Sequence, residues 1–251
     1  FRAVTFPHSA FILALSENAV RLVEMHADLP PATVKVPGLP KDAASSVGKS
    51  TLNDRTYGGR IHASEGQNVR FQQYVRQIDA ALRPILAGRE TPLILAATDR
   101  LASVFPKINS YPHLLGATIA DSPDRLTDAE LAGRARPILD EAYARELDGI
   151  RSLFDKRAGE RRATTDISDA ARTATFGGID ILLVDIDSVV PGFVDDESGA
   201  VEFVEKDDAA AYGVVDEIAA RAFASGAKVL GVRRADIPGG KELAAILRHP
   251  L

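Results

Sequence analysis

The segment at residues 46–51, Ser-Val-Gly-Lys-Ser-Thr, is the first candidate for phosphate chemistry. It resembles the end of a P-loop, in which lysine contacts the phosphates and a hydroxyl contacts Mg²⁺. A P-loop also has a glycine five residues before its second glycine, and here that position is Ala43. It further needs a strand before it and a helix after it, whereas residues 37–40 and 56–59 are rich in Pro and Gly. Nucleotide binding is therefore not expected at this segment.

A second candidate is Asp185 and Asp187, which follow an apolar run and resemble the first motif of haloacid dehalogenase-like phosphatases. In such a motif one carboxylate attacks the substrate and both help to hold Mg²⁺. Only about 65 residues follow, too few for the rest of that fold. The pattern favours a strand that ends in solvated acidic residues.

Metal-ligand spacing is absent among the histidines His8, His26, His62, His113 and His249. No Ser/His/Asp arrangement stands out either. The chain has no cysteine, which excludes disulfides and thiolate metal sites and fits a reducing compartment. We therefore expect no metal and no cofactor.

The composition is that of a globular protein, with 45% hydrophobic and 26% charged residues among 251. This length suffices for two small domains. No apolar run approaches the ~20 residues of a membrane span, so we expect a cytoplasmic protein without a membrane partner. The chain starts at Phe1 without Met and reads as a strand by Phe11, which predicts that an N-terminal region is missing from it.

Positive charge is concentrated in one part of an acidic chain. Between Lys41 and Arg76 there are six basic and three acidic residues, a net charge of +3, whereas the whole chain carries −5. A locally basic loop can contact a polyanion, although a solvated loop has the same composition. The overall acidity argues against a DNA-binding protein, whose footprint is usually basic.

The elements that would position these residues begin with a predicted β-meander in the first forty residues. Residues 41–68 then show neither helical nor strand periodicity, which predicts a long loop. Apolar residues recur at helical spacing from Phe71 to Ile85, and Gly88 ends that helix. A buried strand at residues 93–97, a short helix from Asp99 and a strand near residues 117–120 follow.

The polar stretch Asp-Ser-Pro-Asp at residues 121–124 marks the predicted domain boundary. After it, a long helix is expected at residues 127–160, and Pro137 should kink or split it. The remaining chain alternates helices and strands as a layered α/β domain does. We thus predict two layered α/β domains, at residues 1–124 and 125–251.

Element order and several short motifs resemble the middle and C-terminal domains of the archaeo-eukaryotic class-one release factors and Pelota, and most closely their bacterial homologues. In the middle domain of those factors, a meander leads to a basic loop with a Gly-Gly-Gln tip and then to a long helix. Here the meander is followed by Glu65-Gly66-Gln67 and the helix that contains Arg70 and Phe71. In the third domain, a helix and a glycine precede an apolar strand, as at residues 171–184, and the closing Ile-Leu-Arg strand corresponds to residues 246–248.

This resemblance implies that the first domain is RNase H-like and that the second has the fold of kink-turn-binding ribosomal proteins. It implies a peptidyl-tRNA release or rescue factor in which Gly66 and Gln67 are catalytic. The amide groups of the glutamine would position water and stabilise the oxyanion. Glu65, however, replaces the first glycine of the family motif and adds a carboxylate. Lys49, Arg55, Arg60 and Arg70 are the expected RNA-binding residues.

Two functions thus remain open from the sequence. One is a release or rescue enzyme that hydrolyses the peptidyl-tRNA ester on the ribosome. The other is a non-catalytic module that binds RNA or protein. Ribosome or structured RNA is the expected partner in both, with a possible protein partner on the C-terminal domain. A metal-dependent RNase H-like nuclease ranks last, because the meander offers only Glu17, Glu24 and Asp28.

Overall fold

The computed structural model describes residues 9–27, 29–46, 60–204 and 212–251, without the side chains of 60–67 and Asp99. The chain divides between Ala142 and Tyr143 into a first unit, residues 8–142, and a second unit, residues 143–251. Both units combine sheets with helices, so the predicted class of layered α/β domains is confirmed.

The first unit is built on a five-stranded sheet with the order β3-β2-β1-β4-β5. The strands β1, β2 and β3 are antiparallel neighbours, whereas β4 and β5 run parallel to β1. All six residues of the central strand β1 are buried, which is the reason for its unbroken apolar sequence. The strands are β1 (Ala10–Leu15), β2 (Val20–Met25), β3 (Ala32–Val34), β4 (Leu93–Ala96) and β5 (Leu114–Ile119).

Three helices accompany this sheet: α1 (Ala43–Ser46), α2 (Arg60–Leu86) and α3 (Asp99–Ile108). One face of α2 is buried with side chains of β1, β4 and α3 in a single core. Within it, the fully buried Tyr74 donates its hydroxyl proton to the backbone oxygen of Ser16 at 3.1 Å. Burial raises the pKa of the Tyr74 phenol well above its ordinary value, so this group remains a neutral donor.

A buried carboxylate ties α2 to the segment between α3 and β5. Asp79 Oδ1 accepts hydrogen bonds from the backbone N–H and the hydroxyl of Ser110 at 2.7 and 2.8 Å. Asp79 Oδ2 accepts from Nη2 and Nε of Arg83, one turn later, at 2.7 and 3.1 Å. Both oxygens of this carboxylate are thus occupied, as a buried charge requires. We call this arrangement the Asp79 clamp.

The helix α4 (Asp128–Gly159) begins in the first unit and ends in the second. Near its start, Asp128 accepts hydrogen bonds from Arg21 Nε at 3.1 Å and from the Thr33 hydroxyl at 2.7 Å. The contacts of residues 125–142 therefore belong to the first unit, and the division lies eighteen residues beyond the boundary expected at Asp124. The polar stretch at 121–124 leads into a 3-10 helix, Pro123–Arg125, inside the unit.

Pro137 does not split α4, which runs without a break from Asp128 to Gly159. A proline removes one N–H and leaves the carbonyl four residues earlier without its helical partner. That carbonyl belongs to Gly133, and both Gly133 and Pro137 are exposed, so water can hydrate it. The buried Leu131 and Leu139 hold the helix on either side.

The second unit has a four-stranded sheet with the order β11-β7-β12-β6 and a three-stranded antiparallel sheet with the order β10-β8-β9. One face of the larger sheet packs on α5 and α6, and the other packs on the C-terminal half of α4. In the smaller sheet, β8 has the sequence Pro-Gly-Phe-Val and β9 the sequence Val-Glu-Phe, so neither has a long apolar run. The elements are β6 (Ala163–Thr164), α5 (Ile167–Thr175), β7 (Ile179–Asp185), β8 (Pro191–Val194), β9 (Val201–Phe203), β10 (Tyr212–Gly213), α6 (Val214–Ala224), β11 (Lys228–Val232) and β12 (Leu243–Leu247).

The Asp79 clamp should stabilise the first unit. We expect Asp79→Ala to lower the free energy of unfolding by about 2 kcal/mol, because it leaves the backbone N–H of Ser110 without its acceptor. Urea unfolding followed by circular dichroism measures this loss. Glu17→Ala is the control, since Glu17 is an exposed acidic residue. Equal unfolding midpoints for the two variants would contradict a stabilising clamp.

The position of the division predicts how the chain can be cut. A fragment of residues 8–142 should unfold cooperatively, whereas a fragment of residues 8–124 should be less stable. The shorter fragment lacks Asp128, the partner of Arg21, and the buried Leu131 and Leu139. Burial of each leucine contributes about 1.5–3 kcal/mol. If both fragments have the same thermal midpoint, residues 125–142 do not belong to the first unit's fold.

Candidate nucleic-acid interface

The predicted catalytic pair, Gly66 and Gln67, lies inside helix α2 and not at the tip of a loop. Both residues lie beyond the first four of the helix, so their N–H groups belong to its internal hydrogen-bond pattern. The expectation of an aperiodic loop up to Asn68 is thus wrong from Arg60 onward. The core-packed turns after Phe71 supply a nucleus, and extending a helix from a nucleus costs less than starting one.

The four expected RNA-binding residues separate into two groups. Lys49 and Arg55 lie outside the described residues. Arg60 is the first residue of α2, and Arg70 is exposed on the same helix. With a rise of 1.5 Å per residue, their backbone positions are about 15 Å apart along the helix axis. The structure therefore places two of the four on one element.

From Asn68 onward, helix α2 has an exposed face whose charged side chains are basic. Between residues 68 and 86 the sequence contains a single acidic residue, Asp79, and that residue is buried in the clamp. The charges on the exposed face are therefore all positive. We call this surface the α2 outer face, and it consists of Arg70, Gln72, Gln73, Arg76, Gln77 and Arg83.

Arg83 joins this surface to the clamp. Its side chain is 65% exposed, although its Nε and Nη2 are held by Asp79 and its Nε also lies 3.1 Å from the Ser110 hydroxyl. A guanidinium anchored in this way loses little conformational freedom when it meets an anion. The sequence indicates this pair, because Asp79 precedes Arg83 by four residues, the spacing at which helical side chains meet. Asp79 also directly follows Ile78, which belongs to the apolar face of the helix.

A cleft of about 550 Å³ opens at the C-terminal end of α2. One wall is the last turn of α2 with the residues that follow it, and the other is the segment between α3 and β5. The cleft offers cationic, amide, hydroxyl and aromatic groups together, and its acidic groups are the occupied Asp79 and the exposed Glu90. The polar and aromatic residues that line it are Arg83, Arg89, Asn109, Ser110, Tyr111 and His113.

Tyr111 and His113 form the aromatic part of the cleft. Their ring centroids are 5.4 Å apart with an angle of 66° between the planes, an edge-to-face arrangement. The Tyr111 hydroxyl donates to the carbonyl of Thr91 at 2.6 Å. Burial raises the pKa of the Tyr111 phenol, while the charge of Arg89 opposes that rise. Tyr111 therefore stays neutral, and its hydroxyl ties the segment between α3 and β5 to the backbone of residues 89–91.

Arg89 is fixed at the rim of the cleft by three neighbours. Its guanidinium carbon lies 5.3 Å from the centroid of the Phe11 ring, and its Nη1 lies 3.8 Å from Glu24 Oε1. Its backbone oxygen lies 3.1 Å from the Tyr111 hydroxyl. Sequence reasoning missed this cleft, because its walls are about thirty residues apart along the chain.

The Asp-x-Asp segment of the second unit has a structural role at its first residue. Asp185 is buried at the end of β7, where Oδ2 accepts from Arg234 Nε at 3.0 Å and Oδ1 accepts from the backbone of Asp187 at 3.1 Å. Arg234 in turn contacts Glu242 at 2.8 Å. The expectation of solvated acids is therefore right for the exposed Asp187 and wrong for Asp185.

Within the described ranges, no group of three or more His, Asp or Glu side chains is placed to hold a metal ion. Among the helices of the same part of the chain, none combines the length and apolarity that a membrane span demands. The expected protein partner of the C-terminal domain stays a prediction.

Comparison with solved structures gives the fold of the whole chain. Archaeal Pelota, in a model of the ribosome-bound protein with ABCE1, matches 99% of this chain with a TM-score of 0.55 and 14% identity. Dom34 from S. cerevisiae matches 96% with a TM-score of 0.54 and 14% identity. The chain spans 64% and 63% of the lengths of these two proteins, so it corresponds to just under two thirds of each.

A family comparison adds evidence that does not depend on the structure. No curated protein matches the chain. The family model described as bacterial archaeo-eukaryotic release factor family 11 matches residues 7–145, which is more than half of the chain and includes all of the first unit. The chain therefore belongs to the bacterial archaeo-eukaryotic release factors, in their family 11.

Proposed function

We propose that this protein is a ribosome-associated translation factor that acts without hydrolysing peptidyl-tRNA. The observation that carries the first part is the likeness in fold, over 99% of the chain, to a Pelota described as ribosome-bound. Dom34, with the same fold, is described as a translation termination-like factor involved in RNA quality control. Membership of a release factor family supports the same assignment.

The second part of the proposal depends on the conformation of Gly66 and Gln67. Ester hydrolysis by a Gly-Gly-Gln loop needs a free backbone N–H and a close approach of the backbone to the reacting carbonyl. In α2 the N–H of Gln67 is already part of the helix, and Glu65 stands where the family motif has its first glycine. Hydrolysis would therefore require the first two turns of α2 to unwind and would bring a carboxylate close to RNA phosphates.

The first unit is the proposed RNA-contacting part. Residues 8–142 contain fifteen basic and fifteen acidic residues, whereas residues 143–251 contain fourteen basic and twenty acidic ones. The second unit thus carries a net charge of −6, which repels phosphates. We assign the RNA contact to the α2 outer face, together with Arg60 at the start of α2 and Lys49 and Arg55 from the preceding chain.

The domain identities implied by the family resemblance are likewise proposals. We propose an RNase H-like first unit and a second unit with the fold of kink-turn-binding ribosomal proteins. The mixed parallel and antiparallel sheets of both units, each with helices packed on it, support them.

Removing positive charge from the α2 outer face should weaken ribosome binding. We expect the double variant Arg70→Gln/Arg76→Gln to co-sediment less with ribosomes and to show a smaller salt dependence. Each lost phosphate contact removes roughly 0.7–0.9 from the slope of log affinity against log salt concentration. The matched control is Lys35→Gln/Arg136→Gln, which removes two exposed charges elsewhere in the first unit. If both double variants bind with the wild-type affinity and slope, the α2 outer face is not the RNA contact.

Peptidyl-tRNA on stalled ribosomes should stay intact in the presence of this protein. Release of a labelled nascent peptide measures the reaction, with a bacterial release factor on stop-codon complexes as the positive control. Gln67→Ala should change neither release nor co-sedimentation, because Gln67 belongs to a helical segment. Peptide release by the wild type that Gln67→Ala abolishes would show that α2 opens and that the protein is a hydrolase.

A further inference from the structure

The cleft at the end of α2 has the size and the groups of a binding site for a small planar, anionic unit. Its volume of about 550 Å³ lies within the range of clefts that hold small ligands, about 300–1,000 Å³. Hydrogen-bonding groups of Asn109 and Ser110 lie beside the aromatic pair Tyr111 and His113. Arg83 and Arg89 supply positive charge on the α2 side.

The acidic groups of the cleft offset part of this positive charge. Asp79 pairs with Nε and Nη2 of Arg83, so the charge of Arg83 is compensated and this side chain contributes its remaining N–H groups. Glu90 is exposed, so water screens it. The guanidinium of Arg89 lies over Phe11 and 3.8 Å from Glu24, a separation that leaves its other N–H groups able to donate.

The cleft is continuous with the α2 outer face, because Arg83 belongs to both. Arg76 and Arg83 are seven residues apart, two turns of the helix, and therefore lie on one side of it about 10 Å apart. A strand of RNA whose phosphates follow this side of α2 would reach the cleft at Arg83. Proteins that bind single-stranded RNA stack unpaired bases on aromatic rings and guanidinium planes in such positions.

We propose that the cleft binds one unstacked nucleotide of the RNA strand that the α2 outer face contacts. The base packs on the Tyr111 and His113 rings, and Arg83 and Arg89 hold its phosphate. The amide of Asn109 donates one Nδ2 proton to the Tyr111 carbonyl, and its second Nδ2 proton can bond to the edge of the base. This inference rests on the proposed function, because it takes RNA as the ligand of the first unit.

Photo-crosslinking locates the contact directly in the full chain. A short single-stranded oligouridylate that contains 4-thiouridine is bound and irradiated, and the protein is then digested with trypsin. Cleavage after Lys107 and Arg125 releases Tyr111 and His113 together in the peptide of residues 108–125. We expect the crosslinked nucleotide on this peptide.

Fluorescence anisotropy with the same labelled oligouridylate measures the energetic contribution of the ring. His113→Ala should weaken binding roughly ten-fold, the effect of losing one stacked base. His113→Phe should restore most of the affinity, since it keeps a planar ring. An unchanged urea midpoint for both variants shows that the loss is not unfolding.

The results separate this inference from the proposed function. If the chain co-sediments with ribosomes but the oligouridylate does not bind, or crosslinks only outside residues 108–125, the cleft is not a nucleotide site. Equal affinity of His113→Ala and wild type, or crosslinks from this peptide to ribosomal protein instead of RNA, also overturns it. Loss of ribosome co-sedimentation for the wild type would overturn the proposed function itself.

Discussion

The burial of one face of α2 is the constraint on which the first unit depends. The side chains from Phe71 to Leu86 on that face are packed into the core with β1 and β4. Two polar contacts complete the packing, namely the bond from Tyr74 to Ser16 and the Asp79 clamp. Because the helix cannot rotate without exposing this face, its arginines and glutamines between Arg70 and Arg83 are held at the solvent-exposed side. The same packing holds the segment that contains Tyr111 and His113 beside the end of the helix.

This constraint also explains why a release factor relative would lack a hydrolytic loop. The packed part of α2 is a nucleus from which the helix extends back to Arg60. Gly66 and Gln67 are included in this extension, which removes the free N–H that an oxyanion site needs. The positive charges nearby are unaffected by that loss. The proposed function therefore includes RNA binding by the α2 outer face but not hydrolysis of peptidyl-tRNA.

Features fixed by local patterns could be predicted from the sequence. The apolar runs of β1, β4 and β7 identified buried strands, and the spacing from Phe71 to Ile85 identified the packed part of α2. Features that depend on distant partners could not. The division of the chain lies beyond Asp124 because Asp128 contacts Arg21, more than one hundred residues earlier. The cleft likewise exists only because β4 and β5 pair, which brings residues near Ser110 to Asp79.

Family membership and fold establish what the chain is related to, whereas the conformation of α2 determines how we interpret its activity. The most direct test is a cryo-electron microscopy map of the protein bound to the ribosome. We predict continuous helical density from Arg60 to Leu86, with Arg70, Arg76 and Arg83 facing RNA. An extended segment around Gly66 and Gln67 in the peptidyl-transferase centre would contradict this account.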